Sequence, residues 1–168
     1  MVVERYMTPN PITVRPDTSL RKAQDLLHAN QIRHLPVVQG KRLVGIITDR
    51  DLRQLFPSSL APPDEVAGFR TAAARVKVGE VMTRRVLSVT PETRAHKAAR
   101  LMVERRFGCL PVVRGSTLVG IITTIDLLRA MAGEDRSKAG PPGETRTVER
   151  KPLEDRRAPR PETRQGRR

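Results

Sequence analysis

Cysteine and aromatic residues are scarce in this 168-residue chain: it holds one Cys, no Trp, one Tyr and three Phe. The lone Cys109 cannot form an internal disulfide or a multi-cysteine metal site. Tyr6, Phe56, Phe69 and Phe107 are too few for the stacking platforms that grip single-stranded nucleic acid. Long apolar runs are missing as well. The longest, around Leu43 to Ile47, is about five residues, against the roughly 20 of a membrane span. The Met-Val-Val-Glu-Arg-Tyr start lacks the apolar stretch of a secretory signal. A disulfide scaffold, a zinc module and an integral membrane protein are therefore poor readings, and a soluble cytoplasmic protein is expected.

Acidic residues are the minority, 18 against 32 Lys and Arg, for a net charge of +14. The last 36 residues, 133–168, hold only Ala139, Val148, Leu153 and Ala158 as apolar side chains, with five prolines and four glycines. So little apolar surface cannot offset the entropy of ordering a backbone, and a disordered basic tail is expected there. Its 11 basic and 7 acidic residues give it +4, which leaves +10 on residues 1–132. A basic folded part can focus positive potential in a cleft, where a nucleotide or another small polyanion needs few residues. Nucleic acid, bound through the tail, is an alternative partner, although no zinc-finger spacing or helix-turn-helix appears.

The chain is organised by a repeat. Shifted by 75 residues, Met7–Leu52 falls on Met82–Leu127 without a gap, and 21 of 46 positions are identical. Leu35-Pro36-Val37-Val38 matches Leu110-Pro111-Val112-Val113, and Leu43 to Thr48 matches Leu118 to Thr123. Each unit reads β-α-β-β-α. An extended piece (Ile12-Thr13-Val14 or Leu87-Ser88-Val89) precedes Thr18 or Thr93, which are expected helix N-caps. Apolar residues then recur at helical spacing, followed by two strands around Gly40 or Gly115 and a second helix carrying Leu52 and Leu55, or Leu127, Leu128 and Met131. Proline in the first strand of each pair puts it at a sheet edge or a strand start. Between the units, Asp64 to Val76 has helical spacing, with Asp64 as its expected cap. Units of about 50 residues are marginal alone, so a shared core is expected. The expected bounds are 3–56 and 78–132 for the repeats, 57–77 for a linker with a helix, and 133–168 for the tail.

Met7-Thr8-Pro9 and Met82-Thr83, the two Leu-Pro-Val-Val strands, and the Gly45–Asp51 and Gly120–Asp126 stretches together resemble a tandem pair of CBS domains, the regulatory modules named after cystathionine β-synthase. The resemblance covers about residues 3–130 and is nearest to stand-alone bacterial pairs. It implies an α/β fold of two β-α-β-β-α repeats packed as a pseudo-twofold pair. It also implies clefts for AMP, ADP, ATP or S-adenosylmethionine, and a homodimer that regulates a partner protein.

Thr48-x-x-Asp51 and Thr123-x-x-Asp126 first read as capping boxes, in which both side chains serve backbone N–H groups at a helix start. The same residues suit a nucleotide. A carboxylate accepts both hydroxyls of a ribose diol, the threonine hydroxyl can reach a phosphate oxygen, and the helix N-terminus favours an anion. Gly45 and Gly120 would allow close approach of a ligand. Arg33, His34 and Arg50 of the first repeat could meet phosphate, where the second has Gly108, Cys109 and Ile125; the bland alternatives are solvated arginines and a half-buried imidazole. The resemblance implies that adenine lies along Ile12 and Thr13, or Leu87 and Ser88, with Pro36 and Pro111 offering packing surface. Cys109 reads as a small buried side chain. No carboxylate dyad, metal spacing, nucleophile elbow or phosphate loop is present, so no catalysis is expected. No cofactor is obligatory in this reading; the adenosyl ligand is regulatory. A structural or interaction module with empty clefts is the main alternative.

Overall fold

A computed structural model describes residues 1–55 and 62–133. The start of the expected linker (residues 57–61) and, but for Gly133, the expected disordered tail lie outside those residues.

A short 3-10 turn (Val3–Arg5) leads into β1 (Thr8–Pro9), α1 (Leu20–Ala29), β2 (His34–Gln39), β3 (Arg42–Thr48) and α2 (Asp49–Leu55). After α3 (Pro63–Ala73) and the single turn α4 (Val78–Val81), the pattern recurs as α5 (Ala95–Arg105), β4 (Cys109–Arg114), β5 (Thr117–Thr123) and α6 (Thr124–Met131). This is the mixed α/β arrangement the repeat implies. The hairpins β2–β3 and β4–β5 are antiparallel and match residue for residue, His34 opposite Thr48 and Cys109 opposite Thr123. Both turn through Gly40 or Gly115 at φ +62°, a left-handed conformation that costs glycine little. The prolines sit on the outer strands, β2 and β4, away from any second ladder neighbour except one bridge.

That bridge is all that forms of the expected first strands: Val14 pairs in parallel with Val37, and Val89 with Val112. The expected caps also shift by one residue. The Thr18 hydroxyl accepts from Arg15 N–H (3.1 Å) and that of Thr93 from Thr90 N–H (3.0 Å), each closing a turn. Ser19 then caps α1, accepting from Lys22 N–H, while Arg94 precedes α5 without a side-chain cap. Asp64 lies inside α3, which starts at Pro63; proline fits the first turn, where its missing N–H is not needed.

The two repeats exchange their lead-in segments. One core gathers Val14, Leu20, Leu27, Leu35, Val37, Ile47 and Leu52 of repeat one with Val78 and Met82 from the start of repeat two. The other gathers Val89, Ala98, Met102, Leu110, Val112 and Ile122 with Val3, Tyr6 and Met7 from the N-terminus. The backbone follows the same exchange. Val3 and Glu4 N–H donate to Thr93 and Pro91 carbonyls, as Val78 and Gly79 N–H donate to those of Thr18 and Pro16 (2.8–3.0 Å). Thr8 pairs with Ile121, and Thr83 with Ile46. The shared core expected from repeat size is therefore two cores, each completed by the other repeat's leader. Among the described residues, no helix is long and apolar enough to cross a membrane.

Candidate functional site

Each Thr-x-x-Asp begins where its hairpin ends. Thr48 closes β3, and its N–H and hydroxyl both donate to Asp51 Oδ2 at 2.8 Å; Asp51 N–H returns to Thr48 Oγ1 at 3.3 Å. Thr123 and Asp126 repeat the pattern at 2.9, 2.8 and 3.3 Å. The capping reading therefore holds at both sites. It engages a single carboxylate oxygen, and Asp51 Oδ1 stays outside the box. Asp51 is half-buried, whereas Asp126 is only 6% exposed.

Around Asp51 the fold gathers the other residues expected in repeat one. Asp49 N–H donates to Arg33 O (2.9 Å), tying the start of α2 to the start of β2. Arg33 and Arg50 are exposed beside it, and the Asp49 carboxylate is held by Arg53 at 2.7 Å. His34 is half-buried and reaches across to repeat two: a Cβ on Gly108 would stand 3.2 Å from its Nε2. Burial, then Arg33, pushes the His34 pKa down from 6.5, against the pull of Asp51 and Asp49. The imidazole therefore sits neutral but among charges that an incoming anion would unbalance. At the matching position burial pushes the Cys109 thiol up to about 12, which leaves it unreactive.

Ile12 and Thr13 lie along the same end of β2. Val14 N–H donates to Pro36 O (3.1 Å), and Val14 O accepts from Val38 N–H (2.9 Å). Pro36 has no N–H, so the parallel ladder cannot continue to Ile12. Val89 meets Pro111 and Val113 in the same way, leaving Leu87 and Ser88 beyond the pairing. The proline rings themselves are buried, so Pro36 and Pro111 do not offer the packing surface expected of them. Their effect on the site is through the backbone.

Gly45 and Gly120 also differ from expectation. A Cβ on Gly45 would collide with the Met82 sulfur and lie 3.1 Å from Thr83 O; Gly120 stands in the same relation to Met7 and Thr8. These glycines make room for the exchanged methionines, and the space is not open to a ligand. Ser88 lines a shallow groove of about 140 Å³ with Leu43, Val44, Val113 and Arg84. This is below the roughly 300 Å³ at which small-molecule pockets begin. Arg84, which also donates to Gly79 O at 2.6 Å, was not expected here. Its signal in the sequence is the change from Met7-Thr8-Pro9 to Met82-Thr83-Arg84 between repeats.

The CBS-domain family model matches residues 3–58 and 78–133. Methanocaldococcus jannaschii protein MJ1225 is 34% identical over 132 residues, 78% of this chain and 47% of that protein, so the chain spans about half of that relative. The crystal structure of CBSX2 in complex with AMP superposes with a TM-score of 0.66 at 34% identity, over 79% of this chain and 96% of that one. The CBS domain pair of MJ0100, in complex with 5′-methylthioadenosine and S-adenosylmethionine, gives 0.64 at 27% identity, over 78% and 99%. With two matched repeats that fold as a pair, the chain belongs to the CBS-domain family.

Proposed function

We propose that this CBS pair is a non-catalytic regulatory module that binds an adenosyl ligand, with its phosphate-directed site in repeat one. The observation that carries the reading is the Asp51 carboxylate: Thr48 fixes it through Oδ2, while Oδ1 remains for a ribose diol beside Arg33, His34 and Arg50. The complexes of CBSX2 with AMP and of MJ0100 with S-adenosylmethionine support the ligand class. Ile12 and Thr13 would present unpaired backbone to adenine, as Leu87 and Ser88 would in repeat two, where Thr123 and Asp126 form the matching grip. Repeat two has Gly108 and Cys109 in place of Arg33 and His34, so polyphosphate would favour repeat one. Binding there would bias the packing of His34 on Gly108, and hence the relation of the two repeats, through differential affinity for the two arrangements. A partner protein would read that change in the cytoplasm.

Melting with and without AMP, ATP and S-adenosylmethionine tests this. A ligand bound only by the native state adds about RT ln(1 + [L]/Kd) of stability. Asp51→Ala should lower the ligand-free protein by about 0.5–2 kcal/mol, as a lost cap does, and should also shrink the ligand increment. An increment unchanged in Asp51→Ala would remove Asp51 from the site, and no increment in the wild type would reject the proposal in favour of a module with empty clefts.

A further inference from the structure

His34 and Cys109 hold the same place in their repeats, and only the imidazole can change charge near neutral pH. Each opens its hairpin opposite the capping-box threonine, His34 against Thr48 and Cys109 against Thr123. Directly opposed residues of an antiparallel pair share a face with Cβ atoms about 4.5–5.5 Å apart. The imidazole therefore lies beside the Thr48–Asp51 box. Asp51 and Asp49 of α2 favour its charged form, and Arg33 opposes it. The other charges of that helix are Arg50, which is exposed, and Arg53, which is engaged with Asp49. Across the seam the ring meets Gly108, which has no side chain to charge. Exposed Arg105 and Arg106 precede that glycine, Cys109 after it keeps its proton, and Asp126 stands in its own box on α6. Among the described residues no hydrogen bond holds either ring nitrogen of His34, and neither is sealed from solvent.

We propose that His34 sets the ligand choice of the repeat-one site by taking up a proton from solvent when the phosphate of an adenine nucleotide binds, and by staying neutral against the sulfonium of S-adenosylmethionine. This rests on the ligand reading above and adds the residue that selects within that ligand class. In the free protein, burial and the Arg33 guanidinium keep the ring neutral. A phosphate group brings about −1.5 to −2 charge at neutral pH. Set against Arg33 and Arg50, it cancels the repulsion from Arg33 and joins Asp49 and Asp51 in favouring the imidazolium. The charged ring then donates a charge-assisted hydrogen bond to a phosphate oxygen. A sulfonium adds a positive charge instead and holds the ring neutral. Linkage fixes the sign: a ligand that brings a proton binds more tightly as pH falls, by at most about tenfold per pH unit. The gain starts at the raised pKa of the bound state and ends at the free one, which lies below 6.5. Repeat two has no such device, because the Cys109 thiol titrates only at about 12.

Titration calorimetry of the full chain with AMP and with S-adenosylmethionine, in two buffers of different ionisation enthalpy, tests the proposal. At about pH 6.5 the wild type should take up about 0.3–1 proton more than His34→Gln on binding AMP, and no more than the variant on binding S-adenosylmethionine. From about pH 7.5 to about pH 6, its AMP affinity should rise about three- to tenfold relative to His34→Gln. The second ionisation of the phosphate itself, near pH 6, is common to both proteins and cancels in the ratio. A second measurement leaves the site intact. His28 and His96 are exposed on helices, so replacing both by Gln makes His34 the one imidazole of the chain. Its NMR shifts should move toward the protonated form on adding AMP and should not on adding S-adenosylmethionine. Equal proton uptake by wild type and His34→Gln, an excess with S-adenosylmethionine, or an imidazole unmoved by bound AMP would each overturn the proposal and leave adenosyl binding standing. Absence of binding by either ligand would overturn the ligand reading itself.

Discussion

Where repeat one sets Arg33 and His34 at the approach to β2, repeat two sets Gly108 and Cys109 at the approach to β4; where α2 shows Arg50 and Arg53 to solvent, α6 shows Ile125 and Leu128. Beneath these differences the hairpin register, capping boxes, parallel bridges and leader exchange are the same in both halves. The residues kept alike are those that backbone geometry and close packing demand: the left-handed turn glycines, the strand prolines, and Gly45 and Gly120 under a methionine sulfur. The residues that differ include Arg50 and Arg53 at the solvent face and His34 at the seam, and also core positions of another size, Leu20 and Leu27 against Ala95 and Met102. Duplication has thus given one scaffold two surfaces, one cationic and one apolar.

If the halves are equivalent inside, equivalent core truncations should cost alike. Leu35→Ala and Leu110→Ala, each at a fully buried side chain, should both lose about 2–5 kcal/mol in denaturant unfolding. A negligible loss in one repeat alone would break the equivalence. The exchange gives a smaller but sharper test. Gly45→Ala and Gly120→Ala overpack the methionines and should cost about 1–3 kcal/mol each. Met82→Ala should partly rescue Gly45→Ala, and Met7→Ala should not; rescue by Met7→Ala would place the methionines with the wrong repeats.

The smallest effect belongs to the seam. Because the folded His34 pKa lies below 6.5, the unfolded chain takes up this proton first as pH falls. The contribution of His34 is therefore constant above about pH 6.5, and it turns destabilising as pH drops from there toward the folded pKa. His34→Gln should flatten that limb in unfolding midpoints measured from about pH 8 to about pH 5. Cys109→Ser at the matching position should leave the limb as it is. A limb that persists in His34→Gln would assign the slope to other groups.

Much of the architecture is legible locally. Identity at a fixed offset, Gly at the hairpin turns, and Leu20, Ala23 and Leu27 at helical spacing each act over a few residues, and the expected repeat follows from them. The cap shift is a local competition: Thr18 and Thr93 bond back to the turns before them, leaving the cap to the next residue. The exchange was not legible, because Met7 and Met82 meet glycines over a hundred residues downstream and 37 residues upstream respectively. At the site, Thr48, Asp51, Arg33 and His34 were expected together and lie together. Pro36 and Gly45 were misread because sequence does not say which side of a strand is already covered. Periodicity failed likewise on α6. Leu128 and Met131 look like core residues, yet Leu127 and Ala130 face inward; a helix apolar on both sides has no phase to read.

The crossed methionines bear on how such a chain could arise. A solitary half, severed from its sibling, would keep an arm with nothing to clasp and a hollow with nothing to fill it. Two identical halves, however, could each lend the other an arm. The geometry thus lets one half serve as its own partner: two separate copies of it could interlock as the joined halves do here.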